Sequence, residues 1–281
     1  MFLSGIADEA GPSIDEQIKA HRELGWKHIE LRNIGGVGVA DLSDRAFDDV
    51  VDRLGEAGIA ISCFASQLCN WSRPITKHFD IDRQELARAI PRMQRTGCRF
   101  IRIMSYPNAG WPEQEWKEEV FARIRTLAAM ADDGGVTLVH ENCNGYGGLG
   151  PDQSLELLEV VHSPALKLLY DTGNPVPHEQ DPWTYYSAVK EQVVYVHIKD
   201  ARVAPDGSTA YTYPGEGDGR VEDVVRDLLA GGYEGGVSIE PHLAAIVHEA
   251  ITASAENAAY AKYLEYGRRL MALVERAKQS T

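Results

Sequence analysis

Short apolar runs that close on polar clusters alternate along the whole chain with segments whose apolar residues recur every three or four positions. The short runs predict strands over residues 3–7, 28–31, 60–65, 99–104, 136–142, 166–174, 193–200 and 237–242. The intervening segments predict helices. Ser13 opens one with an SIDE box, in which Ser13 caps the helix and Glu16 reaches back, and Gly25 ends it. Ser43 opens another that ends near Gly58. Further helices are expected over 80–96, 112–131, 151–162, 182–189, 221–229 and, long and amphipathic, 253–278. Several start with proline near the first turn and stop at glycine, the polarity a helix requires. Strict alternation of strand and helix predicts a parallel sheet covered by helices, most simply a closed (β/α)8 TIM barrel. An open doubly wound sheet is the alternative. No strand leads through GxGxxG into a helix, which counts against its dinucleotide-binding form.

No linker, low-complexity tract or break in composition divides residues 1–281, so one barrel domain is expected. Apolar residues make up 44% and charged residues 25%, the balance of an ordinary globular protein. The formal charge of −14 opposes a phosphate-backbone partner, because nucleic-acid binders cluster lysine and arginine. The first residues lack a basic segment followed by an apolar core, and no apolar run reaches membrane-spanning length. A cytoplasmic protein without nucleic-acid or membrane partners is the expectation. Cys63, Cys69, Cys98 and Cys143 show no CxxC or zinc-knuckle spacing and read as reduced thiols. Cys143 lies two residues after Glu141 and reads as lining rather than nucleophile.

The last four strands end on VTLVHEN, LKLLYDTGN, VVYVHIKD and VSIEPH. Each carries one metal-competent side chain: Glu141, Asp171, His197 and Glu240. Taken singly they have other uses, as strand-end cap, Asx turn, core histidine and turn residue. In order, at the C-terminal ends where barrel enzymes place their functional groups, they read as a site for one divalent metal ion, Mn²⁺, Mg²⁺, Co²⁺ or Zn²⁺. Lys199 is placed to contact a substrate oxygen. Glu30 ends the second strand and is a further candidate for substrate contact, with a structural pairing to Arg32 as the alternative. His140, His178 and His242 are expected to support the ligands. Phe64, Trp71, Tyr106 and Trp111 are expected to pack, or to wall a sugar-sized ligand. PGEGDGRV forms a tight loop, where a phosphate cradle ranks low because only Arg220 is basic.

The chain resembles the xylose-isomerase-like barrels, which include ketose 3-epimerases, hydroxypyruvate isomerase and inosose dehydratase. The resemblance runs from GWKHIEL (25–31) through the Glu141 strand, DTGN (171–174), HIKD (197–200) and PGEGDGRV (214–221) to SIEPH (238–242). It implies that Glu141, Asp171, His197 and Glu240 hold the metal and that Glu141 and Glu240 also transfer protons. It implies a substrate-binding role for Arg202. Asn174 stands where several relatives carry histidine, and the loop NCNGYGGLG (142–150) departs from the epimerase pattern. The implied activity is isomerisation or epimerisation of a sugar, keto-sugar or polyol through an enediolate. Alternatives are a dehydratase or lyase acting on a keto-polyol or 3-keto-glycoside, an endonuclease-IV-like repair enzyme and a non-catalytic sugar-binding barrel. Relatives also form homo-oligomers, for which the C-terminal helix could serve as an interface.

Overall fold

The computed structural model describes residues 1–243 and 253–280. Eight parallel strands alternate with eight helices. The strands are β1 (Phe2–Gly5), β2 (His28–Leu31), β3 (Ala60–Phe64), β4 (Phe100–Ser105), β5 (Thr137–Gly145), β6 (Leu166–Asp171), β7 (Val193–Ile198) and β8 (Gly236–Ile239). The helices are α1 (Ile14–Leu24), α2 (Asp44–Ala57), α3 (Asp80–Thr96), α4 (Glu113–Asp133), α5 (Pro151–Val161), α6 (Pro182–Val189), α7 (Val221–Ala230) and α8 (Ala253–Ser280). Pairing runs from β2 through β3, β4, β5, β6, β7 and β8 to β1. A bridge from Ile6 to Glu30 brings β1 back beside β2, so the sheet nearly closes into the expected barrel.

The helix signals act as the sequence predicts. Ser13 Oγ accepts from the Glu16 N–H while the Glu16 carboxylate accepts from the Ser13 N–H, and Gly25 caps the C-terminus in the left-handed region. The apolar face of α8 is used within the chain. Tyr263, Tyr266, Leu270 and Leu273 are buried against α7 and the outer faces of β7 and β8. Of the described residues of α8, Met271 is the large apolar one left exposed.

Alternation along each strand divides the core into two tasks. Outward residues such as Ile29, Ile101, Leu138, Leu168, Val196 and Val237 pack under the helices. Inward residues Cys63, Val139, Leu169 and Tyr195 form an apolar floor, with Phe2 and Phe100 at its edge. Tyr195 reaches Ser62 Oγ at 2.8 Å, and Ser62 reaches Ser4 Oγ at 2.9 Å, so these three hydroxyls are paired. Two residues further along, the same inward faces carry Glu141, Asp171 and His197. The strand period therefore stacks the candidate site directly on the floor.

Candidate metal centre

Glu141, Asp171, His197 and Glu240 lie on adjacent strands β5, β6, β7 and just past β8, all buried. One ligand atom from each falls within 4.8 Å of the others. Register supports this directly: Asp171 pairs with His197, and His197 with Ser238, two residues before Glu240. Glu141 Oε2, Asp171 Oδ2 and Glu240 Oε2 are buried and, among the described residues, meet only cationic side chains, and buried His197 Nδ1 makes no hydrogen bond. Convergent oxygen and imidazole donors of this kind fit a divalent ion.

The opposite atoms of the same side chains are held. Glu30 on β2 places its two oxygens 3.0 and 3.1 Å from His197 Nε2. Donation of Nε2–H to Glu30 leaves Nδ1 facing the other three residues, with a lone pair to offer once its proton is lost. Asp171 Oδ1 accepts the backbone N–H groups of Gly173 and Asn174, both at 2.8 Å. Asn142 clamps the Asp171 backbone from both sides, donating to its carbonyl at 3.0 Å and accepting its N–H at 2.6 Å. Asn174 Nδ2 donates to Glu141 Oε1 at 3.1 Å, and Lys199 Nζ donates to Asn174 Oδ1 at 3.1 Å.

Two buried cations, Lys199 and Arg102, and the partly buried Arg32 face the carboxylates. Lys199 Nζ lies 2.6 Å from Glu240 Oε2 and 3.2 Å from Asp171 Oδ2. Arg102 Nη1 lies 3.3 Å from Glu141 Oε2, and Arg32 Nη1 lies 3.3 Å from Glu240 Oε1. Burial alone would raise the Glu141 carboxyl, but Arg102 and His197 hold it at about 2. Glu240 is held well below its ordinary value by Lys199 and His242 against the same burial. Burial wins at Asp171, which is raised. At His197 burial acts downward, yet Glu30 and Glu141 hold the imidazole up at about 10.

The sites expected from the sequence divide cleanly in space. Lys199 and Asn174 line the cavity above the ligands, which measures about 790 Å³. Glu30 is not among its lining residues and stands behind His197, and Arg32 pairs with Asp8, Glu9 and Glu240 rather than with Glu30. Arg202 also stands apart from the cavity lining. It lies on a hairpin of strands Asp200–Val203 and Thr209–Thr212, exposed, and donates to the Glu216 carbonyl. His242 supports Glu240, its Nε2 lying 3.3 Å from Glu240 Oε1, and His178 stands at the cavity rim. His140 points out of the barrel and packs under α5 and α6, away from the ligands. Of the four aromatic residues, only Trp71 lines the cavity; Phe64 and Tyr106 are core, and Trp111 packs on that core.

Arg102 and Tyr211 are cavity residues that motif reading missed. Arg102 was findable, because it sits two residues after the floor residue Phe100 on an inward strand face. The glycine loop is no open cradle. Asp200 Oδ2 accepts the N–H groups of Gly215 and Gly217, and Oδ1 those of Gly219 and Ala201. The loop must be glycine here: a Cβ on Gly219 would sit 2.8 Å from Asp200 Oδ1. HIKD and PGEGDG are thus one structural unit.

These features match a known class. The family described as Xylose isomerase-like TIM barrel matches residues 18–266, and the chain belongs to it. Inosose dehydratase of Clostridium beijerinckii is 26% identical over 144 residues, 46% of this chain. That match spans about half the relative's own length, 47%. The 2-epi-5-epi-valiolone 7-phosphate 2-epimerase of an Actinoplanes species is 27% identical over 198 residues, 67% of this chain and 68% of that protein. An L-ribulose 3-epimerase structure superposes with a TM-score of 0.74 at 17% identity, covering 99% of this chain and 96% of that one. Fold and site agree with a metal-dependent enzyme of the family that contains sugar isomerases, epimerases and dehydratases. Among the described residues no helix is long and apolar enough to cross a membrane.

Proposed function

We propose that the protein is a divalent-metal-dependent isomerase or epimerase of a sugar, keto-sugar or polyol, working by proton transfer through an enediolate. The observation that carries this reading is the pair Glu141 and Glu240, which reach one cavity from the two ends of the ligand row. Glu141, Asp171, His197 and Glu240 would hold the ion. Bound there, a dication supplies Lewis-acid polarisation of a substrate carbonyl and its neighbouring hydroxyl.

The chain's own groups do the rest. One glutamate takes the proton from the carbon beside the carbonyl, and the C–H electron pair moves into the enediolate. The other glutamate returns a proton, to the opposite face of that carbon for epimerisation or to the adjacent carbon for isomerisation. Lys199 and Arg102 present positive charge where the enediolate oxygens develop. The floor of Val139, Leu169 and Tyr195 closes the barrel below and keeps water from entering beneath the ligands.

Lys199 also supports a second reading. Its ammonium stands 2.6 Å from Glu240 and is positioned to give a proton to a leaving β-hydroxyl. Carbon deprotonation, C=C formation and C–O cleavage would then release water, a dehydratase outcome on a keto-polyol or, with aglycone loss, a lyase outcome on a 3-keto-glycoside. The test is solvent-deuterium incorporation followed by NMR, with Mn²⁺ or Mg²⁺, over ketoses, keto-polyols and 3-keto-glycosides. Exchange at one carbon, abolished by chelation and reduced at least about a hundredfold in Glu141→Gln and Glu240→Gln, is expected. Release of water or aglycone instead selects the second reading, and absence of exchange in the metal-loaded protein sinks both.

A further inference from the structure

The cavity above the metal centre has two unlike walls. The ends of β5 to β8 bring the charged cluster, whereas the segments that follow β2 and β3 bring the carboxamides Asn33, Gln67 and Asn70. Ala65 and Met104 add apolar lining.

Each of these amides is pinned at one end by a partner that decides which end is left over. Asn33 Nδ2 donates to Asp8 Oδ2 at 2.7 Å, and since a carboxylate only accepts, the remaining atom is the carbonyl Oδ1. Asn70 Oδ1 accepts the Ser72 N–H at 3.0 Å and the Ser72 hydroxyl at 2.7 Å, which leaves its NH2 group. Gln67 Oε1 accepts from Arg73 Nη2 at 3.4 Å, and since a guanidinium only donates, an NH2 group is left here too. These three remaining groups make no hydrogen bond among the described residues, and none is sealed from solvent. Asn70 is only 6% exposed, yet it lines the cavity with that NH2 group unpaired. A nearly enclosed donor that opens on a cavity is fitted to an acceptor held there.

The segment that carries Gln67 and Asn70 is braced. Buried Asp82 accepts the Cys69 N–H at 3.0 Å, Arg73 Nη1 at 2.7 Å and the Tyr106 hydroxyl at 2.9 Å. Glu85 accepts the Gln67 N–H at 3.0 Å and pairs with Arg73. Cys69 between them is held at a φ of 58°, a left-handed conformation that cysteine keeps only where its surroundings impose it. Amides fixed in this way cost little further ordering when a ligand arrives.

Two neutral donors and one neutral acceptor match alcohol hydroxyls, each of which both accepts and donates. The volume of about 790 Å³ admits a ligand that touches both walls, since ligand pockets run from about 300 to 1,000 Å³. Resting on the proposed function for which end of the substrate reacts, we infer that Asn33, Gln67 and Asn70 form a second subsite, which binds free hydroxyls on carbons remote from the reacting one. The substrate class is then a polyhydroxylated ketone, open-chain or cyclic, that extends beyond its reacting hydroxyketone unit.

The test is titration calorimetry of the Mn²⁺-loaded protein. Dihydroxyacetone supplies the hydroxyketone alone; D-fructose, D-psicose, D-tagatose, D-sorbose and scyllo-inosose add remote hydroxyls. The best of these should bind at least about tenfold more tightly than dihydroxyacetone. Gln67→Leu and Asn70→Leu should each remove about three- to tenfold of that advantage and leave dihydroxyacetone within about twofold. Gln67 is exposed, so its variant should melt with the parent. Deoxy analogues of the best binder separate contact from misfolding: loss of the hydroxyl that meets the amide should cost the parent the same factor and the variant nothing more. An advantage that survives both substitutions, a loss shared equally by dihydroxyacetone, or no preference over dihydroxyacetone overturns the inference. Solvent-deuterium exchange without any dependence on remote hydroxyls would overturn the subsite and leave proton transfer standing. Hydroxyl-dependent binding without exchange would do the reverse.

Discussion

The two halves of the barrel meet at one centre but are built on opposite principles. Strands β5 to β8 supply the convergent, metal-competent side chains of Glu141, Asp171, His197 and Glu240. Strands β2 and β4 and their flanks supply side chains that face those residues from the other wall: Glu30 against His197, Arg102 against Glu141, Arg32 against Glu240. Arg32 commits its whole guanidinium, to Asp8, Glu9 and Glu240. One half is shaped for a guest, and the other fixes the posture and charge of the first. Binding and orientation are therefore separable by mutation.

The largest break in the comparison comes from the guest side. Asp171→Ala should weaken Mn²⁺ binding by more than about a hundredfold in calorimetric titration, since a ligand matters more than its support. Retention of tight binding would show that the four atoms are not a ligand set. The supporting half should give a smaller effect. Glu30→Gln keeps the shape but weakens the hold on His197, and a loss of about ten- to a hundredfold in Mn²⁺ affinity is expected.

Proton linkage sharpens the same contrast. His197 stands above its ordinary 6.5, at about 10, so the metal-free protein favours imidazolium at neutral pH. The ion needs the neutral ring, so affinity should rise about tenfold per pH unit and level off above about 10. Titration in buffers of different ionisation enthalpy should count about one proton released per ion near pH 8. In Glu30→Gln the plateau should begin at lower pH. For metal-free stability the sign is opposite: the raised pKa contributes fully below about 6.5, and that contribution is lost as pH rises through about 10.

The barrel was legible because its signals are local and repeated. Caps, glycine stops and apolar runs state each element within about a dozen residues, and eight repetitions leave little room for another topology. The candidate cluster was legible for a related reason: each member ends its own strand, and order supplied what single residues could not. Glu30 and Arg202 lie apart from the cavity lining, since strand-end position and resemblance do not report which way a side chain turns. Glu30 turns inward behind His197, whereas Arg202 sits on a hairpin that leads it to Glu216. The pairings across the barrel, Glu30 with His197 over 167 residues of sequence, have no local signature at all. They follow from closure of the sheet.

The smallest expected effect lies outside both halves. Asp200→Asn trades a charged acceptor of four backbone N–H groups for a neutral one and should lower stability by about 1–3 kcal/mol in urea unfolding, with Mn²⁺ affinity little changed.

That carboxylate has a wider consequence. The glycine loop is an anion receptor whose guest is covalently tethered, present at an effective concentration that a freely diffusing anion does not match. Occupancy is permanent, so the receptor is invisible to solutes and acts only as a clasp between the seventh strand and the helix that follows. A single side-chain change separates a loop closed on its own carboxylate from one open to a free anion.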